Sequence, residues 1–171
     1  MTTFSSTYFA DNKGTLTAAG ENAVASGLAV LIDAVTANNY EKGWRIDPEK
    51  LDRGAPLPAP RNVGGLTALL HSEVTEAFEA HRNNEPPLWF EYEIPGPNGE
   101  TLKNKPTDGF SDQPSFGGAL GKPQGIASEL ADVIIRVLDM ADELDIPLIA
   151  AVIDKHRYNQ TRPYRHGNKA C

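Results

Sequence analysis

The chain is predicted to be all-α, a four-helix bundle with one hairpin-bearing insertion, and three observations predict this. Apolar residues recur at helical spacing along three separate stretches of the 171 residues, and Pro147 and Pro163 bound a fourth. Asn-, Pro- and Gly-rich breaks of the kind that stop helices separate those stretches. Sustained period-two alternation occurs in one place, inside a Pro/Gly-rich segment between the second and third helices. Four helices and one hairpin bury their apolar stripes most simply by packing helix on helix. There is no internal repeat and no coiled-coil heptad, and the length suits a single domain over residues 1–171.

Residues 1–15 are small and polar and predict a loose N-terminal arm. The first helix is predicted from Leu16 to about Asn38, where Ala19, Ala23, Val24, Leu28, Leu31, Ile32 and Val35 keep the helical period. Gly20 and Gly27 weaken its first half. Residues 39–63 contain Pro48, Pro56, Pro58 and Pro60 and predict connection. The second helix is predicted from Gly65 to Arg82, with Leu66, Leu69, Leu70, Val74, Ala77 and Phe78 apolar and Asn83-Asn84 and Pro86-Pro87 ending it. The next 43 residues, 83–125, hold seven Pro and seven Gly. Within them Leu88–Ile94 alternates, with Leu88, Phe90, Tyr92 and Ile94 on one face. Residues 95–99 form a turn, and Glu100–Lys103 returns as a second strand. An excursion this long in a compact domain is usually functional or disordered. The third helix is predicted from Ile126 to Asp145, and the fourth from near Pro147 to a point before Pro163.

Lys and Arg total 16 and Asp and Glu 23, a formal net charge of −7. That balance argues against a protein that coats long nucleic acid through its phosphates. One Cys excludes an internal disulfide. No uninterrupted apolar run reaches the roughly 18 residues of a membrane span. The longest candidate, Leu28–Val35, is short and carries Asp33. The first fifteen residues lack the pattern of a secretory signal, so a cytoplasmic protein without a membrane partner is expected. The average charge hides a division. The last 17 residues, from Lys155, hold five basic side chains and no acid, and the remainder carries −12.

On a helical wheel Glu129, Asp132, Arg136, Asp139 and Glu143 form one stripe about 80° wide. Most of the remaining arc of the third helix is apolar, which predicts cover on several sides, by a bundle or by another subunit. Glu73 and Glu76 on the second helix share a face, and Glu129 and Asp132 repeat the spacing. Two facing pairs of like charges would need a cation between them, and a hard divalent ion takes oxygen ligands. Acidic pairs at this spacing are also common on solvated helix faces, and Arg136 suits a salt bridge to Asp132 or Asp139. On the fourth helix Lys155, Asn159 and Arg162 share a face, followed by Arg165. Such residues can hold phosphate, or can equally complement the helix C-terminus. No HExxH, Cys/His spacing or Gly-rich phosphate loop is present, so zinc and the P-loop chemistries are not expected.

Glu73-Val-Thr-Glu76 and Glu129-Leu-Ala-Asp132, within the longer runs KPQGIASELADVIIRVLDMADELDI (122–146) and KHRYNQTRPYRHGNK (155–169), resemble the MazG-like all-α nucleoside triphosphate pyrophosphohydrolases. Residues 65–82 and 122–169 carry the resemblance. Ser72 stands where many members have another acid, and the insertion at 83–125 is longer than the usual connection. The resemblance implies hydrolysis of a (deoxy)nucleoside triphosphate to monophosphate and pyrophosphate, with Mg2+ as cofactor and Mn2+ as its substitute. It implies that Glu73, Glu76, Glu129 and Asp132 hold the metal and that Lys155, Asn159, Arg162 and Arg165 hold the phosphate chain. It places a base pocket near Asn39 and Trp44, although Trp44 equally suits a core. A homodimer or homotetramer is implied as well. A phosphoribosyl-ATP pyrophosphatase-like enzyme is an alternative, and so is a non-catalytic helical module that binds a nucleotide or a protein.

Overall fold

The structure is a computed structural model that describes residues 8–52, 55–58, 61–95, 101–104, 115–116 and 119–163. Helices dominate it: α1 (Ala18–Glu41), α2 (Val63–Arg82), α3 (Ile126–Glu143) and α4 (Leu148–Gln160). Seven short strands lie between them. They are β1 (Ile46–Asp52), β2 (Ala55–Pro58), β3 (Trp89–Pro95), β4 (Thr101–Asn104), β5 (Ser115–Phe116), β6 (Ala119–Leu120) and β7 (Lys122–Gln124). They form an antiparallel β1-β2 pair, a three-stranded sheet of order β4-β3-β7 and a β5-β6 pair. The chain divides into two compact units. One takes the described residues up to β2 and again from Leu138, and the other takes Arg61–Val137. α3 begins in the second unit and ends in the first.

In the first unit, residues 8–15 of the expected loose arm are held in place by hydrogen bonds, and residues 1–7 lie outside the described residues. The Asp11 carboxylate accepts the amides of Lys13 and Thr15, both at 2.8 Å. Those bonds hold its pKa below the usual carboxylate range. The Thr17 hydroxyl donates to the Tyr8 carbonyl and caps α1 by accepting from Gly20. α1 runs to Glu41, slightly past its predicted end. Averaged over 18 residues its mean hydropathy is 1.3, which makes it long and apolar enough by composition to cross a bilayer. Polar partners nonetheless engage it near both ends: Glu21 pairs with Arg157 of α4, and Asn39 donates to Asp139 of α3.

Residues 46–52 and 55–58, expected as connection, instead form the antiparallel strands of a β1-β2 hairpin, with Ile46 opposite Pro58 and Asp52 opposite Ala55. Proline is tolerated there because each strand of a two-stranded ribbon has an edge that needs no donor. The register shifts between Asp47 and Leu51, next to Pro48.

Arg45 precedes this hairpin and is 5 % exposed. Its guanidinium donates to the Asp139 carboxylate and carbonyl and to Asp142, and it pairs with Glu143 at 3.2 Å. The ring of Tyr40 lies 5.6 Å below it. Burial works against the charge, but the bonds to Asp139 and Asp142 outweigh it and raise the Arg45 pKa.

In the second unit, Asn62 caps α2 by accepting from Gly65 at 2.6 Å. The predicted hairpin strands are present: β3 and β4 pair antiparallel, with Ile94 opposite Leu102, and residues 96–100 of the predicted turn and return lie outside the described residues. β7 joins the other edge of β3, so the insertion closes back onto the start of α3. Burial on β3 does not follow the predicted alternation, because Trp89 is buried as well as Tyr92. The Trp89 indole N–H is satisfied by Glu85 at 3.0 Å.

Gly125 links β7 to α3 with φ +90°, and a Cβ there would lie 2.5 Å from the Pro86 carbonyl oxygen. Gly125→Ala is therefore strained in both backbone and contact and is expected to cost about 1–3 kcal/mol. A lower urea midpoint at unchanged m-value checks this. Leu69, Val74 and Phe78 of α2 and Leu130, Ile134 and Ile135 of α3 are exposed, so this chain leaves the apolar arc of α3 partly uncovered.

Candidate functional site

The polar stripe of α3 is divided between the two units. Its last members, Asp139 and Glu143, serve Arg45 in the first unit. Its first members, Glu129, Asp132 and Arg136, face α2 in the second. Residues one helical turn apart share a face, so Glu73 and Glu76 of α2 meet Glu129 and Asp132 across a pocket of about 700 Å³. Lys122 of β7 and Arg136 complete its charged lining.

Glu73 is 6 % exposed. Its Oε1 accepts from Arg136 Nε at 2.5 Å, so Arg136 makes its ion pair with Glu73 in place of the Asp132 or Asp139 expected. Carboxylate oxygens of Glu73, Glu76 and Glu129 all lie within 4.8 Å of one another, a group that does not include Asp132. Burial pushes the Glu129 carboxyl up, helped by the charges of Glu76, Asp132 and Glu73 and opposed by Lys122. Burial also pushes Asp132 up, helped by Glu73 and opposed by Arg136 and Lys122. Both groups are thus disfavoured as anions, first by burial and then by the neighbouring carboxylates.

The donor set fits a hard divalent ion. All three ligating groups are carboxylates, with no imidazole or thiolate among them to favour a softer metal. Their oxygens, all within 4.8 Å of one another, need side-chain adjustments of about an ångström to meet on one such ion.

The remaining candidate residues lie in the other unit. Lys155 of α4 and Arg162, two residues past its end, are exposed and lie near the ring of Tyr158, at 5.5 and 6.0 Å from its centroid, so Arg162 is not on the fourth helix as expected. Asn159 is exposed beside them, and Arg165 lies outside the described residues. Asn39 does not project as a free amide: it donates to Asp139 at 2.7 Å and supports the Arg45 network. Trp44 is 69 % exposed and is not a core residue of the chain.

Two residues of these clusters carried no sequence motif. Arg45 lay in an expected connection, and the signal for it was indirect. Asp139, Asp142 and Glu143 share one helix face and require a cation from elsewhere in the chain. Lys122 lay inside a quoted run without an assigned role, and its signal was the pair of glycines, 121 and 125, that bracket it. No protein-family model, curated protein or solved structure matches the chain.

Proposed function

We propose that the protein is a Mg2+-dependent hydrolase, built on a four-helix bundle of the MazG-like type, that splits a (deoxy)nucleoside triphosphate into monophosphate and pyrophosphate. The observation that carries this reading is the three-carboxylate spacing of Glu73, Glu76 and Glu129 in a pocket that also holds Asp132 and two cations. A bound Mg2+, or Mn2+ in its place, would neutralise phosphate charge and make a water acidic enough to attack phosphorus.

Within the chain, Glu73, Glu76 and Glu129 hold the metal. Asp132 lies outside that three-way group but lines the same pocket, so its carboxylate is assigned to accept the water's proton. Arg136 fixes Glu73 in place. In the first unit, Lys155, Asn159 and Arg162 suit phosphate by their charge and spacing, and Trp44 suits a base by its exposed aromatic face. The uncovered apolar residues of α2 and α3 support a homodimer or homotetramer. A light-scattering mass equal to one chain would refute that part.

The test is pyrophosphate release from a panel of canonical and modified nucleotides, with and without Mg2+. Wild type should release pyrophosphate only with the metal. Glu73→Gln should bind metal more weakly. Asp132→Asn should keep metal affinity and lose roughly 10²–10⁴-fold in kcat, the usual worth of a general base. Folded wild type that releases nothing from any nucleotide would favour a binding module. Equal rates in wild type and Asp132→Asn would remove Asp132 from the chemistry.

A further inference from the structure

The second unit contains a cation that its packing does not explain. Lys122 lies opposite Glu91 in the β3-β7 ladder, and its side chain lines the carboxylate pocket. The residue is exposed, and among the described residues it makes no ion pair, although its charge reaches both Glu129 and Asp132. Arg136, the other cation of the pocket, is committed to Glu73.

The backbone around Lys122 is fixed from both sides. A Cβ on Gly121 would lie 2.7 Å from Tyr92 Cε1 and 2.9 Å from Phe90 Cβ, so only glycine lets the chain approach β3 this closely. Beyond β7, Ala127 donates its amide to Pro87 and Ser128 its hydroxyl to Pro123. A pinned backbone with an ammonium free to turn is what holding a ligand requires of a lysine.

We infer that Lys122 binds the phosphate groups of the substrate at the carboxylate pocket, and that the β4-β3-β7 sheet of the insertion serves to deliver it there. The inference rests on the hydrolase reading above. An ammonium offers three donors and no acceptor. Once a divalent ion neutralises the carboxylates, those donors are left to the phosphate oxygens. The competing role is that of a plain counter-ion to the acids. Loss of Lys122 would then tighten metal binding and leave phosphate binding unchanged.

Inorganic tripolyphosphate probes this without depending on the base. Titration calorimetry on the full chain, first with Mn2+ alone and then with the Mn2+–tripolyphosphate complex, separates the two roles. Lys122→Met should keep Mn2+ affinity and lose roughly ten- to hundredfold in tripolyphosphate affinity, the usual worth of a charged hydrogen bond. Lys122→Arg should recover part of that loss. Gly121→Ala, which displaces β7 and leaves every carboxylate intact, should lose tripolyphosphate affinity as well. Wild-type tripolyphosphate affinity in Lys122→Met overturns the inference and leaves the hydrolase reading standing. Wild-type affinity in Gly121→Ala overturns the delivery role of the sheet. Wild type that binds no Mn2+ overturns the hydrolase reading, and this inference with it.

Discussion

Glu129→Gln is expected to stabilise the metal-free protein at pH 7 and, in the same variant, to abolish pyrophosphate release. Burial raises the Glu129 carboxyl, and Glu76, Asp132 and Glu73 raise it further. In the unfolded chain a Glu ionises near pH ~4.3. Between that value and the higher folded one, the folded state holds the extra proton. The contribution of Glu129 to stability is therefore complete below the unfolded value and is lost as pH rises through the folded one. Glutamine does not ionise and escapes the loss, so the gain in Tm should be present at pH 7 and vanish toward pH 4. Metal reverses the order. At a hundred times Kd, Mg2+ adds about 2.7 kcal/mol to the protein that binds it. In a chain of this size that is roughly 5–10 °C in Tm. Wild type should show this rise, and Glu129→Gln should lose most of it along with roughly 10³-fold in kcat/KM, or about 4 kcal/mol. Calorimetry at pH 4 and pH 7, with and without Mg2+, reads all four conditions. A variant less stable than wild type at pH 7 without metal would show that Glu129 is a structural group and not a strained ligand.

How far the sequence reveals this molecule depends on the range of the forces involved. All four helices were legible, because a 3.6-residue period and its breakers are local. The β3-β4 hairpin was legible for the same reason. The β1-β2 hairpin was not. Pro48, Pro56 and Pro58 argue against a strand in a wide sheet, and nothing local shows that a ribbon of two strands would tolerate them. The acidic residues of the pocket were found from spacing, since i, i+3 fixes a helix face. The division of the α3 stripe was invisible, because Glu129 and Glu143 look alike until a distant cation claims one of them. Arg45 does so from 94 residues before Asp139, and β7 brings Lys122 in only because β3 folds back against it. Long-range pairing of this kind leaves its trace in single residues and not in periods.

Arg45→Met is expected to be the most destabilising single change among the charged residues. Arg45 and the Asp139 side chain are 5 % and 7 % exposed, and Asp142 and Glu143 share the same guanidinium. Methionine fills much of the volume, so the cost comes from charge: three carboxylates would remain together without their cation. Breaking a buried pair from one side costs about 3–5 kcal/mol. For a domain of this size that is roughly 6–20 °C in Tm. Lysine should recover little, because Nε, Nη1 and Nη2 each engage a partner here and a single ammonium cannot reproduce the fork. The cost lies in keeping three carboxylates together after the guanidinium is lost and not in losing an especially strong bond, so Arg45→Met combined with Asp139→Leu should melt above Arg45→Met alone. Differential scanning of the four proteins decides it. If Arg45→Met melts within about 2 °C of wild type, burial of the guanidinium costs as much as its partners return, and the network sets the register of α3 without adding stability.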